Sequence, residues 1–226
     1  MAILLAACGP GVAETGQYEP ASNYEVQQME GWTVHVNRAL LSEENETLGR
    51  DTVEVLRQQL YQVNRVIPKP ALERLHEVPI WVEAKSDVKC MCYHPSEKWL
   101  RDNGFNPAKA RSIELGNPTN FLDWTLHQPW MLLHELTHAY HDRVLGDDNP
   151  DVLAAYERAK ASKAYDSVLR HSGRKERAYA IGNHKEYLAE LTEAYFGCND
   201  WYPFVRAELK QHDPKGLEMV EKIWGR

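Results

Sequence analysis

Residues 134–138 read His-Glu-Leu-Thr-His. On a helix, positions four apart lie on one face, one turn apart. Two imidazoles so placed can reach one tetrahedral Zn²⁺ at ~2.0–2.1 Å. Glu135 is offset by about 100° on the same helix. It lies beside the metal without ligating it, where it can take a proton from a zinc-bound water. A catalytic zinc keeps one position open, so a third protein ligand must come from elsewhere. The metzincin continuation wants Gly three residues after the second His and a His three further on; those places hold His141 and Val144. His141 is therefore expected beside the metal rather than on it. A separate helix remains, and residues 183–196 offer Glu186, Glu190 and Glu193 at i, i+4 and i+7, all on one face. Asn183 reads as the N-cap of that helix. Glu186, three residues on, could merely close a capping box, and Glu190 would then be the ligand.

Other reactive types find less support. The chain has no Gly-rich phosphate loop and no Gly-x-Ser-x-Gly elbow. Cys90 or Cys92 as a nucleophile would need an activating base such as His94, and His94 is expected to pack. His127, His171 and His212 lack partner spacing and read as surface residues. Asn199-Asp200 reads as a turn, and Trp124, Trp130 and Trp201 as core. Four Cys lack the paired Cys-x-x-Cys units of a four-thiolate zinc site. Cys90 and Cys92 are too close to bridge each other comfortably, so a disulfide from either would go to Cys198.

The elements that must position the motif follow from periodicity. Residues 32–36 alternate and predict a strand. Leu48, Val53, Leu56, Leu60 and Val63 predict a helix over 45–66, stopped by Pro68 and Pro70. Residues 78–84 and 111–115 are further strands. Ser96 caps a short helix over 96–102. The motif helix runs from Pro129, a favoured first position, to Gly146, with Leu133, Leu136, Tyr140 and Val144 as its buried stripe. Helices are expected over 151–169, 183–196 and 213–224. Strands come early and helices late, which predicts an α+β domain: a small mixed sheet, an active-site helix and a mainly helical C-terminal half.

Composition sets the bounds. The chain has 226 residues, 43% hydrophobic and 26% charged, with net charge −7. That fits one globular domain with a short appendage. The acidic balance argues against a nucleic-acid partner. Seven Trp and eleven Tyr are too many for a disordered chain. The longest apolar run, residues 2–8, is far short of the ~20 residues that span a bilayer, so no transmembrane helix is expected. Leu5-Ala6-Ala7-Cys8 resembles a bacterial lipobox, which would place a lipid anchor at Cys8. No Lys or Arg precedes it; a start site set too far downstream would account for that. Residues 1–28 are thus expected to be a lipoprotein signal remnant and flexible tether, and 29–226 the domain. Localisation at the cell envelope or outside the cell follows, with the cytoplasm as the alternative.

The string Tyr179-x-x-x-Asn183-x-x-Glu186-Tyr187-x-Ala189-Glu190, about forty residues after the motif, resembles the gluzincin catalytic domains of anthrax toxin lethal factor and the Pro-Pro endopeptidases. A wider pattern over roughly residues 30–226 resembles an uncharacterised family of HExxH proteins. Its marks are Tyr93-His94-Pro95, Gln128-Pro129-Trp130, the 134–141 run and Asn199-Asp200-Trp201-Tyr202-Pro203-Phe204. The first resemblance implies a zincin-like fold, with Glu186 as third ligand and Tyr179 stabilising the transition state. It also implies that Glu190 orients a ligating His through its N–H. The expected activity is hydrolysis of a peptide or protein substrate by a zinc metalloendopeptidase, aligned along an edge strand at 111–115. Two alternatives stand beside it: a zinc-binding envelope protein without turnover, and a zinc hydrolase of a non-peptide amide.

Overall fold

The chain pairs β1 (Tyr24–Met29) with β2 (Trp32–Asn37), then enters α1 (Glu46–Val66) and α2 (Lys69–His76). Next come β3 (Ile80–Val82), β4 (Met91–His94), α3 (Glu97–Asp102), β5 (Ser112–Leu115) and α4 (Pro118–Trp124). The motif helix is α5 (Met131–Tyr140), continued by a π-helical turn, His141–Leu145. Then follow α6 (Pro150–Ser162), the short hairpin β6 (Val168–Leu169) and β7 (Lys175–Glu176), a 3-10 turn at Tyr179–Ile181, and α7 (His184–Phe196). Helices α8 (Arg206–His212) and α9 (Pro214–Trp224) close the fold. This computed structural model describes residues 18–225. Residues 5–8, with the lipid-anchor candidate Cys8, and most of the expected tether lie outside them. The α+β class and small mixed sheet are as expected. Among the described residues no helix is long and apolar enough to cross a membrane.

The sheet order is β1-β2-β3-β5-β4. The inner pairs β2/β3 and β3/β5 are parallel, and the outer pairs β1/β2 and β5/β4 antiparallel. One face is apolar. Val34, Val36, Ile80, Val82, Ile113 and Leu115 are completely buried there, each contributing ~1.5–3 kcal/mol of apolar burial. Helix α1 packs its Leu56, Leu60 and Val63 into the same core. Its Gly49 is needed because a Cβ would meet the Leu40 carbonyl oxygen at 2.1 Å.

Several expectations are corrected. The tether was to end at residue 28, but Tyr24–Met29 form β1, because Tyr24 and Met29 bury themselves on either side of polar Glu25, Gln27 and Gln28. The strand at 111–115 is interior, and the sheet's edge strands are β1 and β4. Its Glu114 is fully buried and paired with Lys109 and His94. The 151–169 helix stops at Ser162, where Lys163 takes a left-handed conformation (φ 59°). Val144 is 43% exposed rather than buried, since the π-helical turn rotates it off the α5 stripe. His212 is half-buried between Tyr165 and Tyr202. Cys90, Cys92 and Cys198 are free thiols.

Candidate metal centre

Helix α5 buries Leu132, Leu133, Leu136 and Ala139 beneath the sheet and against α7. That burial leaves His134 and His138 on the side facing α7 and the cleft. Helix α7 is fixed at its start by Asn183, whose side-chain oxygen accepts from the Lys185 and Glu186 amides at 2.9 and 3.0 Å. Its far end needs Gly197, because a Cβ there would overlap the Trp130 indole. The two helices therefore cross in a set register, and three donor groups meet. One Glu186 oxygen lies 3.0 Å from His134 Nε2 and 3.2 Å from His138 Nε2. Glu186 thus does not close a capping box; its carboxylate turns to the imidazoles. Both His rings and Glu186 bring one ligand atom each within 4.8 Å of one another.

The residue behind His134 differs from expectation. Glu193, not Glu190, accepts from His134 Nδ1 at 2.7 Å, while Glu190 stands 3.6 Å away. With Nδ1 bonded to Glu193, Nε2 is turned to Glu186 and the cleft. Glu190 instead accepts from the Asn199 side-chain amide at 3.1 Å. Glu190 and Asn199 are both buried. Burial, with Glu193 and Asp200 close by, pushes the Glu190 carboxyl well above the ordinary range. Burial also raises Glu193, against the pull of His134. Burial opposes charge on His134, yet Glu186 and Glu193 together hold its pKa well above the usual His value.

Glu135 lies where β4 meets α5. Its carboxylate accepts the Tyr93 backbone N–H at 2.8 Å. That amide points away from β5, since the backbone oxygens of Cys90 and His94 are the ones bonded toward the β5 side. Tyr93 also donates its hydroxyl to Asp142 at 2.7 Å. Tyr179 stands with its ring centroid 6.3 Å from that of His134 and lines the same cleft. The cleft holds about 550 Å³, walled by Met91, Tyr93, Trp124, Met131 and Trp201.

Other expected residues fall elsewhere. Asn183 is a helix cap and touches no donor of the trio. His141 is buried on the π-helical turn beside the cleft, where burial and then His184 push it down to about 4. His94 is buried and bonded to Glu114 at 2.8 Å, and it also lines the cleft. Three features escaped sequence reasoning. The Glu193 role was open to the i+7 spacing, but nothing distinguished it from Glu190. Asn199 looked like a turn residue and supports a carboxylate. The Tyr93 amide has no sequence signal at all, because a backbone group carries none. Comparison with known proteins finds no matching family model, no significantly similar curated protein and no significantly similar solved structure.

Proposed function

We propose that this chain is a zinc-dependent metalloendopeptidase of zincin-like, gluzincin type. The observation that carries the reading is the Glu186 oxygen shared between His134 Nε2 and His138 Nε2 at 3.0 and 3.2 Å beside an open cleft. Two imidazoles and one carboxylate with a free side are the donor set of a catalytic zinc. Zinc held there would supply Lewis acidity and lower the pKa of water. Glu135 takes the proton of the attacking water and returns it to the leaving amine. The Tyr93 amide holds that carboxylate in place meanwhile. Tyr179 donates its hydroxyl to the developing oxyanion. Glu193 keeps the His134 ring oriented.

The substrate class follows from β4. Its outer edge pairs with no other strand among the described residues, and it runs beside α5 at Glu135. An extended peptide adds to such an edge by backbone hydrogen bonds, which favours a peptide over a small non-peptide amide. Glu135, held beside the trio, favours turnover over a silent scaffold. Attachment at the envelope through Cys8 belongs to the same reading and rests on the sequence alone.

The test is Glu135→Gln. The variant should retain zinc and lose turnover of a mixed peptide library by ~10²–10⁴-fold, and chelation should silence the parent. Cleavage by the purified variant at the parent rate would sink the mechanism.

A further inference from the structure

The fold holds a second pair of imidazoles that the proposed chemistry does not use. His141 is 1% exposed, and neither of its ring nitrogens has a hydrogen-bond partner. Nε2 of His184 is buried and likewise unmet. Buried polar groups are ordinarily satisfied, so three orphaned nitrogens in one place call for a ligand. The rings meet edge to face, with centroids 5.5 Å apart at 78°. The proposed zinc pair, His134 and His138, stands at 4.7 Å and 77°. Two imidazoles bound to one metal at ~2.0–2.1 Å place their centroids at roughly this separation.

We infer that His141 and His184 form a second cation site, for a divalent metal of the zinc, cobalt or nickel class. Two nitrogen donors select that class over magnesium or calcium, which want oxygen. His141 opens the π-helical turn after α5, and His184 is the first residue of α7; π-helical turns recur at functional sites. Negative charge is at hand. The Asp147 carboxylate feels both rings electrostatically and is tied to Lys185 Nζ at 2.8 Å. A cation between the rings would compete with Lys185 for it, and water would complete the coordination.

The experiment measures metal stoichiometry on the full chain. Metal-stripped protein is titrated with Zn²⁺, and with Co²⁺ for its absorption spectrum, against Mg²⁺ and Ca²⁺ controls. Wild type should take two equivalents of Zn²⁺ or Co²⁺. His184→Gln, at a half-buried position, should take one, and His141→Gln should do the same. The double variant His134→Ala/His138→Ala should keep the equivalent that His184→Gln loses. Two equivalents bound by His184→Gln, or none by the double variant, would overturn the proposal, as would equal uptake of Mg²⁺. If wild type takes one equivalent that only His184→Gln removes, the second site stands and the His134 site falls, so the two readings fail separately.

Discussion

Two clusters of buried histidine and carboxylate lie on opposite faces of the sheet, and they are built to different ends. On the face away from α5, Tyr24 donates to Glu83 at 2.7 Å, and Lys109 reaches Glu83 and Glu114 at 2.7 and 2.8 Å. His94 completes the chain at 2.8 Å from Glu114. Here the chain supplies its own cation. Burial alone would raise the Glu114 carboxyl, but the His94 hydrogen bond and the Lys109 charge outweigh it and hold it down to about 2. On the helical face, Glu186 meets only the two imidazoles in its ion pairs. Glu190, Glu193 and Asp200 crowd behind them, with Arg170 at 3.5 Å from Asp200 as the nearest fixed cation to that group. A buried carboxylate with a resident lysine is architecture. A buried carboxylate shared between two imidazoles is the arrangement on which the proposed metal site rests.

The comparison breaks most visibly at Glu186. Glu186→Ala should reduce zinc affinity by more than ~100-fold, beyond the range expected for an outer partner of a ligand, and abolish peptide cleavage. Equilibrium dialysis reads the first effect. Retention of tight zinc by this variant would return the ligand role to Glu190. The counterpart on the other face is Lys109→Met. Removing one partner of a buried ion pair costs about 3–5 kcal/mol, so denaturant unfolding should show a loss of that order. Zinc stoichiometry should not move. A variant as stable as wild type would show that the lysine is not what makes the network tolerable.

Acid sharpens the same contrast. The folded Glu114 carboxyl lies below its ordinary value of 4.5, so it binds fewer protons folded than unfolded. Its stabilising contribution is present above about 4.5 and is lost as pH falls toward 2. Thermal midpoints of wild type should drop across that window. Those of Glu114→Gln should drop less steeply there, from a lower plateau.

The unequal legibility of these clusters has a physical cause. His134, Glu135 and His138 are visible because their spacing is set within one helix. Glu186 was reachable as one of three candidates, since helical periodicity puts it on a face shared with Glu190 and Glu193. The choice between Glu190 and Glu193 depends on the crossing of α5 over α7, which no local pattern encodes. The helices α1, α7 and α9 were legible from their apolar spacing and end signals. Strand β4 was not, because a run of four residues, Met91-Cys92-Tyr93-His94, is too short for a periodic pattern to mark its bounds. The network of Lys109, Glu83 and Glu114 was invisible for a related reason. Its charges lie on separate segments, and each alone looks like surface.

Glu193→Gln tests whether the helical cluster depends on its outer partner. The glutamine can still accept from His134 Nδ1 but carries no charge. Zinc affinity should fall by about 10–100-fold while the fold persists. Glu190→Gln should do less, because Glu190 bonds Asn199 and stands 3.6 Å from His134 Nδ1, where Glu193 stands at 2.7 Å. Equal effects from the two would mean that the charge behind His134 is shared rather than seated on Glu193.

The smallest effect expected is at Asn183. The resemblance to gluzincins includes this residue in the segment that carries the third ligand, yet its side chain here accepts only from the Lys185 and Glu186 amides. Its work is to start α7 at the right residue. Asn183→Ala should cost about 1 kcal/mol of stability, the usual toll for a lost N-cap. Asn183→Ser and Asn183→Asp should restore most of it, because each returns an oxygen to the same amides. Zinc affinity should change less than in Glu193→Gln, since Glu186 is held from behind by the packing of Tyr187, Leu188 and Leu191. If Asn183→Ala lost zinc as fully as Glu186→Ala, the cap and the ligand would be one cooperative unit. The helical cluster would then be as dependent on local architecture as the lysine network is.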